Sequence, residues 1–195
     1  DTYARTQDKN ISEQLDLGIR AFDLRPNNQL TIYHGVMQTN TTLAASLNVI
    51  KNFLIDNPTE FAIVVMRHET DGDSGSSDWS TNVSNLLMGS DYAGYIADFH
   101  PNLTVGDLRG KMLILSRDDY GDTPYGGFIH GWGHDSAFSN QQGGVIVGPT
   151  RQGKVYVQDY YEFKDSDGLA TKANSIQAML DYSTGRATAS DDEHV

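Results

Sequence analysis

The chain has 195 residues, 38% of them hydrophobic, which suits one globular domain with a real core. A formal net charge of −12 speaks against nucleic acid as a partner, because phosphate backbones need basic surface, and against long-range attraction to anionic membranes. No run approaches the ~18 apolar residues of a membrane span, and the absence of cysteine excludes disulfides and thiolate metal sites while leaving the redox compartment open.

The first predicted element is a short helix. Asn10 can cap it, Glu13 completes a capping box, Ile11 and Leu15 share a face, and Gly18 stops it. A strand follows at once. In it Asp23 and Arg25 alternate with apolar residues, so they share one face while Phe22 and Leu24 take the other. Arg25 leads into a Pro-Asn-Asn turn, which puts the pair at the carboxyl end of the strand. His34 ends a short apolar run, and Gly35 after it permits close backbone approach.

Leu43, Leu47, Ile50 and Leu54 mark a second helix, closed by Asn57-Pro58. Residues 61–66 form a continuous β-rich run, the pattern of a strand covered on both faces. After a Gly/Ser/Asp loop over 71–78, Trp79, Val83 and Leu86 resume helical spacing, and Trp79 reads as a core aromatic. Residues 111–116 are another buried strand, entered through Leu108-Arg109-Gly110. The stretch 118–153 has little periodicity and reads as a long irregular segment, functional or mobile rather than a mere connector. A fourth strand is expected over 155–159, and Leu169, Ala173, Ile176 and Leu180 mark a closing helix. No repeat or linker divides the chain.

Strands alternating with helices predict an α/β fold with a parallel sheet. Polar candidates gather where those strands end: Asp23 and Arg25, Arg67 and His68, Arg117, Asp159 and Tyr161. That edge is where α/β folds build sites. The arrangement predicts part of a β/α barrel, with a doubly wound sheet as the alternative.

Asp23, Arg25 and His34 are the parts that a metal-free phosphoryl-transfer site needs: an orienting carboxylate, a phosphate clamp and a titratable imidazole. The plainer reading is a surface ion pair beside an ordinary histidine. A divalent-cation site would want Glu-x-Asp or Asp-x-Glu, giving two oxygen ligands from one strand. An arginine in the second slot opposes a cation, so no metal and no cofactor are expected.

The run Thr6-Gln7-x-x-Asn10-Ile11-Ser12-Glu13-Gln14-Leu15-x-x-Gly18-Ile19-Arg20-x-Phe22-Asp23-Leu24-Arg25, followed by His34-Gly35, resembles the X domain of phosphatidylinositol-specific phospholipase C in its metal-independent form. The likeness continues through Asn57-Pro58-x-Glu60, Leu108-Arg109-Gly110-Lys111 and Val157-Gln158-Asp159-x-Tyr161. It implies a (β/α)8 TIM-type barrel that cleaves phosphatidylinositol, or a glycosylated relative, to inositol 1,2-cyclic phosphate and diacylglycerol. By that resemblance His34 is the general acid and Arg25 binds the non-bridging phosphate oxygens. Asp23 holds the arginine or accepts from the attacking hydroxyl. Arg117 and Asp159 bond inositol hydroxyls, Tyr161 packs on the sugar face, and Arg67 stands where bacterial members carry a lysine. The implied partner is the lipid itself, met in transient contact with a membrane surface.

The family's general base is a histidine before an Asp-Ser or Asp-Thr pair, and this chain opens on Asp1-Thr2. Asp1 thus matches the motif's aspartate. A barrel of this type takes ~250 residues, so residues 1–195 are expected to be an X-like catalytic domain cut at both ends. His134-Asp135-Ser136 mimics the base motif but lies in the irregular stretch, while His100, His130 and His194 read as solvated. Trp132, Phe128 and Tyr125 could dip into a lipid interface or simply pack the loop. Four Asn-x-Ser/Thr triplets, at Asn10, Asn40, Asn82 and Asn102, point to secretion. The competing functions are an inactive X-like domain that binds phosphoinositides or sugars, and a glycerophosphodiester phosphodiesterase, which would use a Glu-x-Asp metal pair.

Overall fold

Alternating burial along three neighbouring strands organises the molecule. The computed structural model describes residues 7–73, 78–120, 125–133, 137–138, 143–162 and 166–187. Helix α1 (Ile11–Asp16) begins as the sequence predicts. Asn10 accepts from the Glu13 N–H at 3.0 Å, and the Glu13 carboxylate accepts from the Asn10 N–H at 2.9 Å. Strand β1 (Ala21–Leu24) follows, then a hairpin of β2 (Thr31–His34) and β3 (Met37–Thr42), and helix α2 (Leu43–Asp56). Next come β4 (Ala62–Met66), α3 (Trp79–Met88), the two-residue β5 (Ile96–Ala97), a single turn α4 (Val105–Leu108) and β6 (Met112–Ser116). Strands β7 (Gly127–His130), β8 (Gly143–Val147) and β9 (Gln152–Tyr156) precede the long helix α5 (Ser166–Ala187).

The main sheet has the order β1-β4-β6-β7-β8-β9, with β5 paired to the start of β6. From β1 to β7 every pairing is parallel. This is the expected barrel-type α/β fold, and among the described residues the sheet does not close. Phe22, Leu24, Ala62, Val64, Met66, Met112 and Ile114 turn one way, onto Leu47, Ile50 and Leu54 of α2 and Val83 and Leu87 of α3. All are buried, which holds the helices against the sheet through the hydrophobic effect. The opposite, inner face carries Ile63, Val65 and Leu115, which are half-buried, and a small second cluster of Ala97, Leu108 and Leu113. At the amino ends of the strands Arg20 bonds Glu60 at 2.8 Å and the Leu15 carbonyl at 2.7 Å, stitching α1 to the α2–β4 junction.

Three expectations are corrected. The stretch 118–153 contains β7 and β8. They were hidden because both open on glycine, whose use is close approach: a Cβ on Gly127 would meet Ile146 at 2.6 Å, and one on Gly144 would collide with the His130 carbonyl. The fourth predicted strand, 155–159, lies instead at Gln152–Tyr156, and β8 and β9 run antiparallel to their neighbours, so the sheet is mixed. Helix α5 forms as expected, with Leu169, Ile176 and Leu180 at 59%, 41% and 52% exposure. It is seated through Lys172, which bonds Gln158 at 2.8 Å, and Tyr182, whose ring meets Tyr156 edge-on. Among the described residues no helix is long and apolar enough to cross a membrane.

Candidate active site

The parallel register sets three arginines in a row. Leu24 pairs with Met66, and Met66 with Ser116. The next residue after each is Arg25, Arg67 and Arg117, so alternation turns all three toward the inner face at the carboxyl ends of β1, β4 and β6. The strand ends stay in register one step further. The Arg67 N–H donates to the Leu24 carbonyl at 3.2 Å, and the Arg117 N–H to the Met66 carbonyl at 2.7 Å.

Arg25 forms the predicted fork with Asp23: Nε to Oδ1 at 3.2 Å and Nη2 to Oδ2 at 3.0 Å. These hydrogen bonds hold the guanidinium above its ordinary range against burial, and the charges of Asp23, Glu69 and Asp159 add to them. Beyond Arg25 the chain turns through Pro26, Asn27 and Asn28, with both asparagines buried. Asn27 Oδ1 accepts from the N–H groups of Gln29 and Thr31 at 3.1 and 3.0 Å, a local turn of the kind asparagine favours. The returning strand pairs Pro26 with Ile32, and the Tyr33 N–H reaches the Arg25 carbonyl at 2.9 Å. This brings the backbone of His34, the next residue, beside the end of β1, with its side chain exposed. Gly35 serves the hairpin by its φ of 57°. The close approach expected there is absent, since a Cβ would meet nothing within 4 Å.

Arg67 and Arg117 open on a pocket of about 360 Å³, lined also by Asp118, Ile129, Gly131 and Trp132. Arg117 lies over the Trp132 ring at 4.4 Å, and the Trp132 indole N–H donates to Asp159 Oδ2 at 2.7 Å. Burial pulls Arg117 below its ordinary range and Arg67 pushes the same way, while Asp159 and Asp23 oppose them. The two sub-sites are therefore electrostatically one: Asp23 and Asp159 act on both Arg25 and Arg117.

Five of the eight predicted site residues (Asp23, Arg25, Arg67, Arg117 and Asp159) belong to this charged cluster. His34 adjoins it through its backbone. Tyr161, two residues past Asp159, is exposed, and Asp1 lies outside the described residues, as do His134, Asp135, Ser136 and His194. His68, whose role the sequence left open, is held by structure: its Nε2 is 2.8 Å from Asp73 Oδ2 and its ring stacks on Trp79 at 4.9 Å. Trp79 is a core residue as expected, 3% exposed, with its N–H on the Pro26 carbonyl at 3.0 Å. His130 is exposed, as read from the sequence, while His100 is half-buried. Trp132 forms the pocket wall, where the sequence had left open a role at a lipid interface. Asp118 was missed altogether, although it follows directly on a predicted site arginine. Among the described residues no group of three or more His, Asp or Glu side chains could hold a metal ion.

Comparison with known proteins gives this arrangement a family context. The chain is 32% identical over 116 residues to the 1-phosphatidylinositol phosphodiesterase of Listeria monocytogenes, covering 59% of this chain and 37% of that protein. The protein of the same name from Staphylococcus aureus is 24% identical over 173 residues, covering 83% of this chain and 55% of its own length. The chain is similar in sequence and in fold to phosphatidylinositol-specific phospholipases C. A solved phosphatidylinositol-specific phospholipase C of S. aureus has the same fold, with a TM-score of 0.74 at 21% identity over 98% of this chain and 63% of that one. The L. monocytogenes phospholipase structure gives 0.59 at 21% identity, over 98% and 62%. No protein-family model matches the chain. The matches thus span about half or less of the curated phospholipases' length, between 37% and 55%.

Proposed function

We propose that this domain cleaves phosphatidylinositol, or a glycosylated relative, to inositol 1,2-cyclic phosphate and diacylglycerol by metal-free general acid/base catalysis. The observation that carries the reading is the forked Asp23–Arg25 pair at a strand end beside the His34 hairpin. A planar guanidinium meets two phosphate oxygens at once and stabilises the charge that grows on them in the transition state. The inositol 2-hydroxyl loses its proton to a general base, a role the resemblance gives to a histidine that precedes an Asp-Ser or Asp-Thr pair. The 2-oxygen forms a bond to phosphorus, the bond from phosphorus to the glycerol oxygen breaks, and His34 supplies the proton that this oxygen takes. Arg67, Arg117 and Asp159 meet ring hydroxyls, and Tyr161 offers its ring to the sugar face. The lipid is reached by transient contact with a membrane surface. The triplets at Asn40 and elsewhere favour an extracellular setting.

The full-length protein is expected to cleave phosphatidylinositol undiminished in excess EDTA, because Arg25 fills the slot of a second oxygen ligand. Activity abolished by EDTA and restored by calcium would transfer the reading to a metal-dependent phosphodiesterase.

A further inference from the structure

Asp118 shares a pocket with two guanidinium groups and pairs with neither. Among the described residues no ion pair joins it to Arg67 or Arg117. Its Oδ2 accepts instead from the backbone N–H of His68 at 2.7 Å. Its own N–H is held by Ser116 Oγ at 3.2 Å, and Ser116 in turn donates to the Asp118 carbonyl. His68 and Asp118 each follow directly on a site arginine, so this bond joins the ends of β4 and β6 one residue past Arg67 and Arg117. His68 Nε2 also lies 2.8 Å from Asp73 Oδ2, and Asp73 Oδ1 accepts from the Asn28 N–H at 2.7 Å in the turn after Arg25.

We propose that Asp118 is a positioning residue: its carboxylate ties the two strand ends together so that Arg67 and Arg117 converge on one pocket with their donors free for the headgroup. This deepens the reading above and rests on it. Like charges repel, and Arg67 already disfavours the charged form of Arg117. Without a tether the two loops can relieve that repulsion by separating. Spent on a backbone N–H, the carboxylate holds the geometry of the two strand ends and leaves the donors of Arg67 and Arg117 available. The required property is the hydrogen-bond acceptor, which asparagine retains and alanine lacks.

The test uses the full-length protein, with myo-inositol 1-phosphate as a soluble probe and phosphatidylinositol as substrate. Asp118→Ala is expected to weaken probe binding and raise KM by about tenfold or more, since misplacing a contact by about 1 Å can cost ~10², with kcat changed much less. Asp118→Asn is expected to restore both to within about threefold, because the acceptor for the His68 N–H returns. Equal losses in Asn and Ala would show that the charge matters and the tether does not, overturning the proposal. Unchanged binding in Asp118→Ala would overturn it as well. A wild type that binds no probe and cleaves no lipid would instead sink the proposed function, so the two failures are told apart. If Asp118→Ala does not fold, Ser116→Ala, which removes the second hold on the same residue, should shift KM in the same direction; no shift there contradicts the proposal.

Discussion

Arg25→Lys in the full-length protein is expected to lower kcat by about 10²–10³, the cost of losing a pre-placed donor to transition-state charge, with KM altered far less. Lysine keeps the positive charge, so bulk attraction for the phosphate survives. It cannot reproduce the fork that sets Nε and Nη2 of Arg25 against the two oxygens of Asp23 at 3.2 and 3.0 Å. That fork fixes the plane of the guanidinium, and Glu69, buried at 6% exposure, adds its charge from a neighbouring loop. Interactions that strengthen only as charge gathers on the phosphoryl oxygens appear in kcat. A lysine variant with near wild-type turnover would show that Arg25 supplies charge alone and that its geometry is incidental.

His34→Ala is expected to reduce turnover of the natural lipid by about 10²–10⁴, the usual contribution of a placed general acid. A substrate whose leaving group needs no proton, such as a nitrophenyl ester of inositol phosphate, should lose far less. The difference between the two is the signature of the role. The exposed position of His34, on a hairpin tied to β1 by the Tyr33–Arg25 bond, suits a group that must meet a departing lipid oxygen at the rim. Equal losses on both substrates would mean that His34 holds phosphate or supports the hairpin instead.

Much of this site was legible in the sequence because period-two alternation is unambiguous where one sheet face is packed. Phe22 and Leu24 had to turn from Asp23 and Arg25, and the burial of both confirms the register. Helices α1, α2 and α3 were legible from caps and apolar spacing. The β2–β3 hairpin as a whole was not, because Met37–Thr42 is mostly polar and exposed, so no face shows a core pattern. Strands β7 and β8 were masked by glycines selected for backbone contact with a neighbour. Helix α5 was legible from its apolar spacing, but which face is covered depends on the partner, here Tyr156 meeting Tyr182. Trp132 carries no positional signal, since its role depends on Arg117 and Asp159, 15 and 27 residues away in sequence.

The most direct test of the account is phosphorus NMR of the water-soluble product formed when the full-length protein acts on phosphatidylinositol in EDTA. The account predicts the five-membered cyclic ester, inositol 1,2-cyclic phosphate, as the first species, since the neighbouring hydroxyl is the nucleophile and Arg25 stands in for a metal. A linear inositol phosphate appearing first, with no cyclic precursor, would mean that water attacks phosphorus directly and would contradict it.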